Sequence, residues 1–216
     1  MTMRMALIMA VGSLLAATMS AAGDWPPPFW QESSIATTAA PAGAAPVLFS
    51  RPDGAGAAFT QARTTGGVVN ATITLTMLEV PGVPIPGISA TDMWLEREIV
   101  ANTGNFVACD GGTLADGPTD AAGVTHWTRP LRAGGWSTAK TLVVVWGSAL
   151  ASNTGLVLRH NSADLNGDRV VNLSDVPLFA GDFAGSYHFR SDLLYDGVVN
   201  LSDIPRLAAA VGADCP

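Results

Sequence analysis

Twelve residues, Asp164-Leu-Asn-Gly-Asp-Arg-Val-Val-Asn-Leu-Ser-Asp175, nearly recur as Asp192-Leu-Leu-Tyr-Asp-Gly-Val-Val-Asn-Leu-Ser-Asp203, an offset of 28 residues (192 − 164). Both copies place carboxyl or amide oxygens at positions 1, 5, 9 and 12 of the run. A coiling loop that presents oxygens at such intervals can surround calcium, a hard cation that takes roughly 6–8 oxygen ligands. In the first copy the side chains of Asp164, Asn166, Asp168, Asn172 and Asp175, with the Val170 carbonyl, make a full set. In the second, Asp192, Asp196, Asn200 and Asp203 serve with the Val198 carbonyl, and Leu194 has no oxygen to give at position 3. Position 6 calls for a left-handed backbone. Gly197 suits it, whereas Arg169 there costs roughly 1–2 kcal/mol. Calcium is therefore the expected cofactor, with the first loop the better site and the second weaker or completed by water.

The loops need elements to hold them. Each is followed by Asp-(Val/Ile)-Pro and a short apolar stretch: Val176, Leu178, Phe179 and Phe183 in one copy, Ile204, Leu207 and Val211 in the other. Pro177 and Pro205 fall where a helix's first turn tolerates proline, because an N–H there would be unpaired anyway. The pattern predicts loop, short helix, linker, loop, short helix, with Val171 and Val199 meeting across the pair so that the loops brace each other.

This duplicated half EF-hand resembles the dockerin family of calcium-dependent attachment modules, over Ser162 to about Gly212. The resemblance implies a small all-α module that folds on calcium and docks onto a cohesin-like partner, with the oxygens just named as ligands. The family's partner-contacting positions hold Leu173-Ser174 and Leu201-Ser202 here. Asn70, Asn172 and Asn200 also match the glycosylation acceptor pattern, but a glycan on Asn172 or Asn200 would compete with ligation.

Upstream, Arg4 and the apolar run Ala6 to Ala17 read as a secretory signal, with Ser20-Ala21-Ala22 placing cleavage before Gly23. No later segment approaches the length of a membrane span. Without Arg4 the chain carries 10 basic (11 − 1) and 18 acidic residues, a net charge of −8, with Lys140 its single lysine. Such a surface repels phosphate backbones, which argues against nucleic acid. In an oxidising compartment Cys109 and Cys215 either pair across a long loop or remain two unrelated thiols; the sequence leaves both open.

The expected organisation is a signal peptide over 1–22, a Pro/Ala-rich linker over 23–46, a β-sandwich over 47–160 and the calcium-loop domain over 161–216. From Asn70 to Leu78 apolar residues alternate with threonine, the period of a half-buried strand. Asp92–Glu96, Val124–Trp127, the doubly apolar Thr141–Trp146 and Leu156–Leu158 are further strand candidates. Short strands at this spacing predict a sandwich. The stretch Leu75 to Gly87, ending V-P-I-P-G, and Pro118 to Val124 resemble bacterial Ig-like domains of the invasin/intimin type, over roughly Asn70 to Ser148. That resemblance implies a spacer or adhesion fold without catalytic residues. The fold class expected is thus mainly β, an Ig-like sandwich with a dockerin-like all-α module.

Little points to catalysis. His126, His160 and His188 have no nucleophile or second histidine at motif spacing. Glu96, Glu98, Asp110 and Asp116 read as scattered surface acids rather than a glycosidase pair. The functional expectation is an exported, non-catalytic calcium-binding protein whose module attaches or assembles an Ig-like domain. The alternative is an accessory carbohydrate-binding protein of a polysaccharide-degrading system, with Trp94, Trp127, Trp136 and Trp146 as sugar platforms rather than core.

Overall fold

The computed structural model describes residues 30–80, 82–151 and 155–216. The expected signal peptide, the Trp25–Phe29 part of the lead-in, Pro81 and residues 152–154 lie outside them. The described chain is mainly β.

Alternation builds the first sheet. Ala71, Ile73, Leu75 and Met77 are wholly buried, while Thr72, Thr74 and Thr76 are half-buried. Strand Ile73–Thr76 lies between Ile35–Thr38 and Val124–Trp127 and is antiparallel to both. A second sheet centres on Thr141–Val145, flanked by Met93–Arg97 and Ser148–Ala149. Val143, Val144 and Val145 are all buried, which is why this strand does not alternate in sequence. Ile73, Leu75 and Met77 from the first sheet share one core with Met93, Leu95, Val143 and Val145 from the second.

Two segments differ from expectation. Part of the supposed linker is folded: Trp30–Ser33 forms a short helix, α1, and Ile35–Thr38 is an edge strand. Trp30 is buried edge-to-face against Trp146, ring centroids 5.1 Å apart. A run of Ala and Thr shows no apolar period, yet its backbone completes a ladder. Leu156–Leu158 is not a strand; Leu156 makes an isolated bridge to Thr141, and the strand comes next, at Arg159–Ser162. It pairs in parallel with Val47–Ser50. Its buried side chains are polar (His160, Asn161 and Ser162), so hydropathy hid it. This strand crosses the boundary expected at 160/161 and leads straight into the first loop.

Helices α2, Asp175–Ala184, and α3, Ile204–Ala210, follow the two loops, with Pro177 and Pro205 in their first turns as expected. Phe179 and Leu207 enter a second core with Leu165, Val171, Leu193 and Ala210. Cys109 and Cys215 are disulfide-bonded, which ties the tail beyond α3 to the β region. Among the described residues, no helix is long and apolar enough to cross a membrane.

Candidate metal centre

The two loops repeat in geometry as well as in sequence. Asp168 N and Arg169 N donate to the Asp164 carboxylate at 3.2 and 2.8 Å, and Asp196 N and Gly197 N donate to Asp192 at 3.1 and 2.9 Å. Asn166 N and Asn172 N donate to Asp175; Leu194 N and Asn200 N donate to Asp203. Asp168 and Asp196 each accept from the amide two residues on, Val170 N and Val198 N, both at 3.0 Å. Asn172 and Asn200 likewise accept from Ser174 N and Ser202 N, both at 2.7 Å. Positions 4 and 6 are left-handed in both copies: Gly167 and Arg169 (φ 74 and 73°), then Tyr195 and Gly197 (φ 52 and 90°). Arg169 adopts the strained conformation that its position requires.

The first and last carboxylates of each loop act as hubs for backbone donors, and the last one starts the helix. Asp175 is the first residue of α2 and Asp203 the N-cap of α3, where the positive end of the helix favours an anion. All four (Asp164, Asp175, Asp192 and Asp203) are 0% exposed. The ion pairs among the described residues are Arg51–Asp53, Arg129–Asp116 and Arg190–Asp182, so no loop carboxylate is ion-paired, although the charge of Arg206 reaches Asp203. Burying carboxylates without an ion-paired countercharge is costly, and the opening carboxylate of each loop reflects it. Burial, with the charges of Asp175 and Asp168 adding to it, pushes the Asp164 carboxyl up to about 6. Burial and the charge of Asp203 likewise raise Asp192.

The donor set fits a hard divalent cation in kind: oxygen only, two buried carboxylates per loop outside any ion pair, and the Val170 and Val198 carbonyls near them in the chain. Among the described residues, however, no three acidic, histidine or cysteine side chains stand close enough to form a ready-made ligand cluster. Asp168 is turned to Val170 N and to the Asn166 amide, and Asn166 also donates to Ser174 Oγ. The fit therefore lies in donor type, burial and charge.

Several residues that hold the loops carried no local signal. Gly134 lies so close to the first loop that a Cβ there would collide with the Asp164 carboxylate, and Gly135 N donates to Asp164 O at 2.8 Å. Asn105 Nδ2 donates to Leu165 O at 3.1 Å. At the second loop Asn161 Nδ2 donates to Phe189 O and Asp192 O, and Tyr187 donates its hydroxyl to Asp192 at 3.0 Å. Arg206 of α3 donates to Leu193 O and lies 4.8 Å over the Phe49 ring. Val171 and Val199 do share the second core, but the backbone partner of Val171 is Ala213 of the tail.

Of the four tryptophans considered as sugar platforms, Trp127 is buried and Trp94, Trp136 and Trp146 are half-buried. Trp127 donates to Thr113 O, Trp146 packs on Trp30, Trp136 lies against Phe189, and Trp94 donates to Glu96. Asp116 accepts from Thr128 and Arg129, whose hydrogen bonds outweigh its burial and hold its carboxyl below the usual range. Comparison with known proteins finds no family model, no curated protein and no solved structure that matches this chain.

Proposed function

We propose that this chain is an exported, non-catalytic calcium-binding protein whose dockerin-like pair of loops and helices attaches an Ig-like β-sandwich to a cohesin-like partner. The observation that carries the reading is the repetition, 28 residues apart (192 − 164), of one hydrogen-bond pattern around four buried carboxylates that lack an ion-paired countercharge. Calcium supplies that charge when bound; the chain's part is to present the oxygens and the helices behind them.

The surface supports attachment. Leu173 and Leu201, at matching positions, are 80% and 70% exposed. Val176, Phe183, Ile204 and Val211 are also exposed and line an apolar groove of about 380 Å³ between α2 and α3. Contiguous exposed apolar surface marks interaction sites. The two antiparallel three-stranded sheets around one core support the sandwich, and the disulfide supports an oxidising destination.

Isothermal titration of the metal-free chain with calcium tests the metal half of the reading. Saturable binding is expected, and no heat and no bound ion at millimolar calcium would sink it. Attachment is tested by capture of a purified cohesin-like domain in calcium and again in chelator. Calcium-dependent capture is expected; its absence leaves a binding protein without a docking role.

A further inference from the structure

Resting on the calcium reading, we infer that the tail Gly212–Cys215 is a working part of the first loop's cation site, held in place by the Cys109–Cys215 bridge, and that the second loop has no such dependence. The loops were expected to brace each other, yet the strand partner of the first loop is the tail. Val171 N donates to Ala213 O at 2.8 Å, Gly212 N to Val171 O at 2.8 Å, and Cys215 N to Arg169 O at 3.2 Å. These bonds span positions 6 to 8 of the loop, so they fix the peptides on either side of the Val170 carbonyl, a proposed ligand, and the strained turn at Arg169. Among the described residues the matching Gly197–Val199 segment has no strand partner.

The other side of the first loop rests on the same piece of the β region. Val107–Ala108 pairs with Ala133–Gly134, placing Gly134 opposite Val107. Gly134 abuts the Asp164 carboxylate, and Cys109, the residue after Ala108, carries the bridge to the tail. One two-stranded ribbon thus clamps both the opening ligand and the carbonyl ligand. Helix α3 ends at Ala210, and past it the tail is anchored covalently at Cys215. A dithiol reductant releases that anchor by exchange: the S–S bond breaks, both cysteines take up protons as thiols, and the reductant leaves as its own disulfide. The first loop is then complete only in an oxidising compartment.

Amide NMR of the full chain, titrated with calcium alone, reads the loops separately through Arg169–Val171 and Gly197–Val199. Oxidised wild type is compared with dithiol-treated protein and with Cys109→Ser and Cys215→Ser. Without the bridge, the calcium midpoint at Arg169–Val171 is expected to rise about tenfold, the scale of a few backbone hydrogen bonds lost. Hydrogen exchange at Val171 should quicken, and the midpoint at Gly197–Val199 should stay put. Unmoved midpoints at both loops, or equal movement of both, overturn the inference while leaving calcium binding intact. A wild-type chain that shows no calcium response at either loop overturns the metal reading itself, and this inference with it.

Discussion

The first loop fills every proposed ligand position and puts its left-handed non-glycine, Arg169, at position 6; the second lacks one proposed ligand oxygen and puts its own, Tyr195, at position 4. Arg169 sits at φ 73° where Gly197 sits at 90°, and Leu194 stands where the other copy has Asn166. Their surroundings differ in the same sense. The first loop is wedged between Gly134 and the bridged tail, while the second is held by single side chains, Tyr187, Asn161 and Arg206. A duplicated sequence therefore does not make two equivalent sites. Both copies carry one left-handed non-glycine, but at different positions, and such strain is tolerated where the surroundings over-determine the backbone.

The hardest test of that contrast removes the last carboxylate of each copy. Asp175 accepts from Leu165 N, Asn166 N and Asn172 N, whereas Asp203 accepts from Leu194 N and Asn200 N. Orphaned buried donors cost about 1–3 kcal/mol each. Asp175→Ala should therefore lower stability by on the order of 3 kcal/mol in urea unfolding and abolish the first loop's calcium response. Asp203→Ala should cost less, and the reverse order would erase the distinction.

Acid should act next, through the strand that feeds the first loop. Wholly buried His160 is held down to about 3 by desolvation, against 6.5 for a free histidine. The unfolded chain gains a proton near 6.5 and the folded chain does not, so stability falls as the pH drops from about 6.5 towards 3. Between pH 7.5 and 5 this amounts to about 2 kcal/mol. The loss should appear as the difference between the unfolding curves of wild type and His160→Gln over that range, because the raised Asp164 carboxyl gains stability in acid and acts in the opposite sense in both chains.

Restoring the oxygen missing from the second loop sharpens the contrast more gently. Leu194→Asn should raise calcium affinity at that loop about tenfold, read by titration, with the first loop unmoved. The smallest effect expected is at the turns. Arg169→Gly should stabilise the chain by about 1 kcal/mol, and Gly197→Arg should cost about as much. A destabilising Arg169→Gly would show that the arginine side chain makes up for its backbone.

What was legible in the chain followed its local periodicity. The Ala71 to Met77 alternation and the doubly apolar Thr141–Val145 strand could be read because each face declares its own environment. The loop boundaries, the left-handed turn at Arg169 and the prolines opening α2 and α3 were readable from residue types at fixed spacing. Strand Ile35–Thr38 was not, because its partner lies far along the chain and its residues are small. Strand Arg159–Ser162 escaped because its buried side chains are polar and its pairing parallel. Of the candidate site, the acid and amide oxygens of the two loops were visible, but Gly134, Asn105, Asn161 and the tail were not. These reach the loops only through tertiary contact.

The passage from Ser162 directly into Asp164 has a mechanical consequence. Where many modular proteins swing on a tether, this one has a bracket: sheet, loop and helix join without a hinge, and a sulfur cross-brace sits on the far side. A partner seated on the helices would inherit the bearing of the whole β body, and tension between them would load the sheet rather than a slack connector.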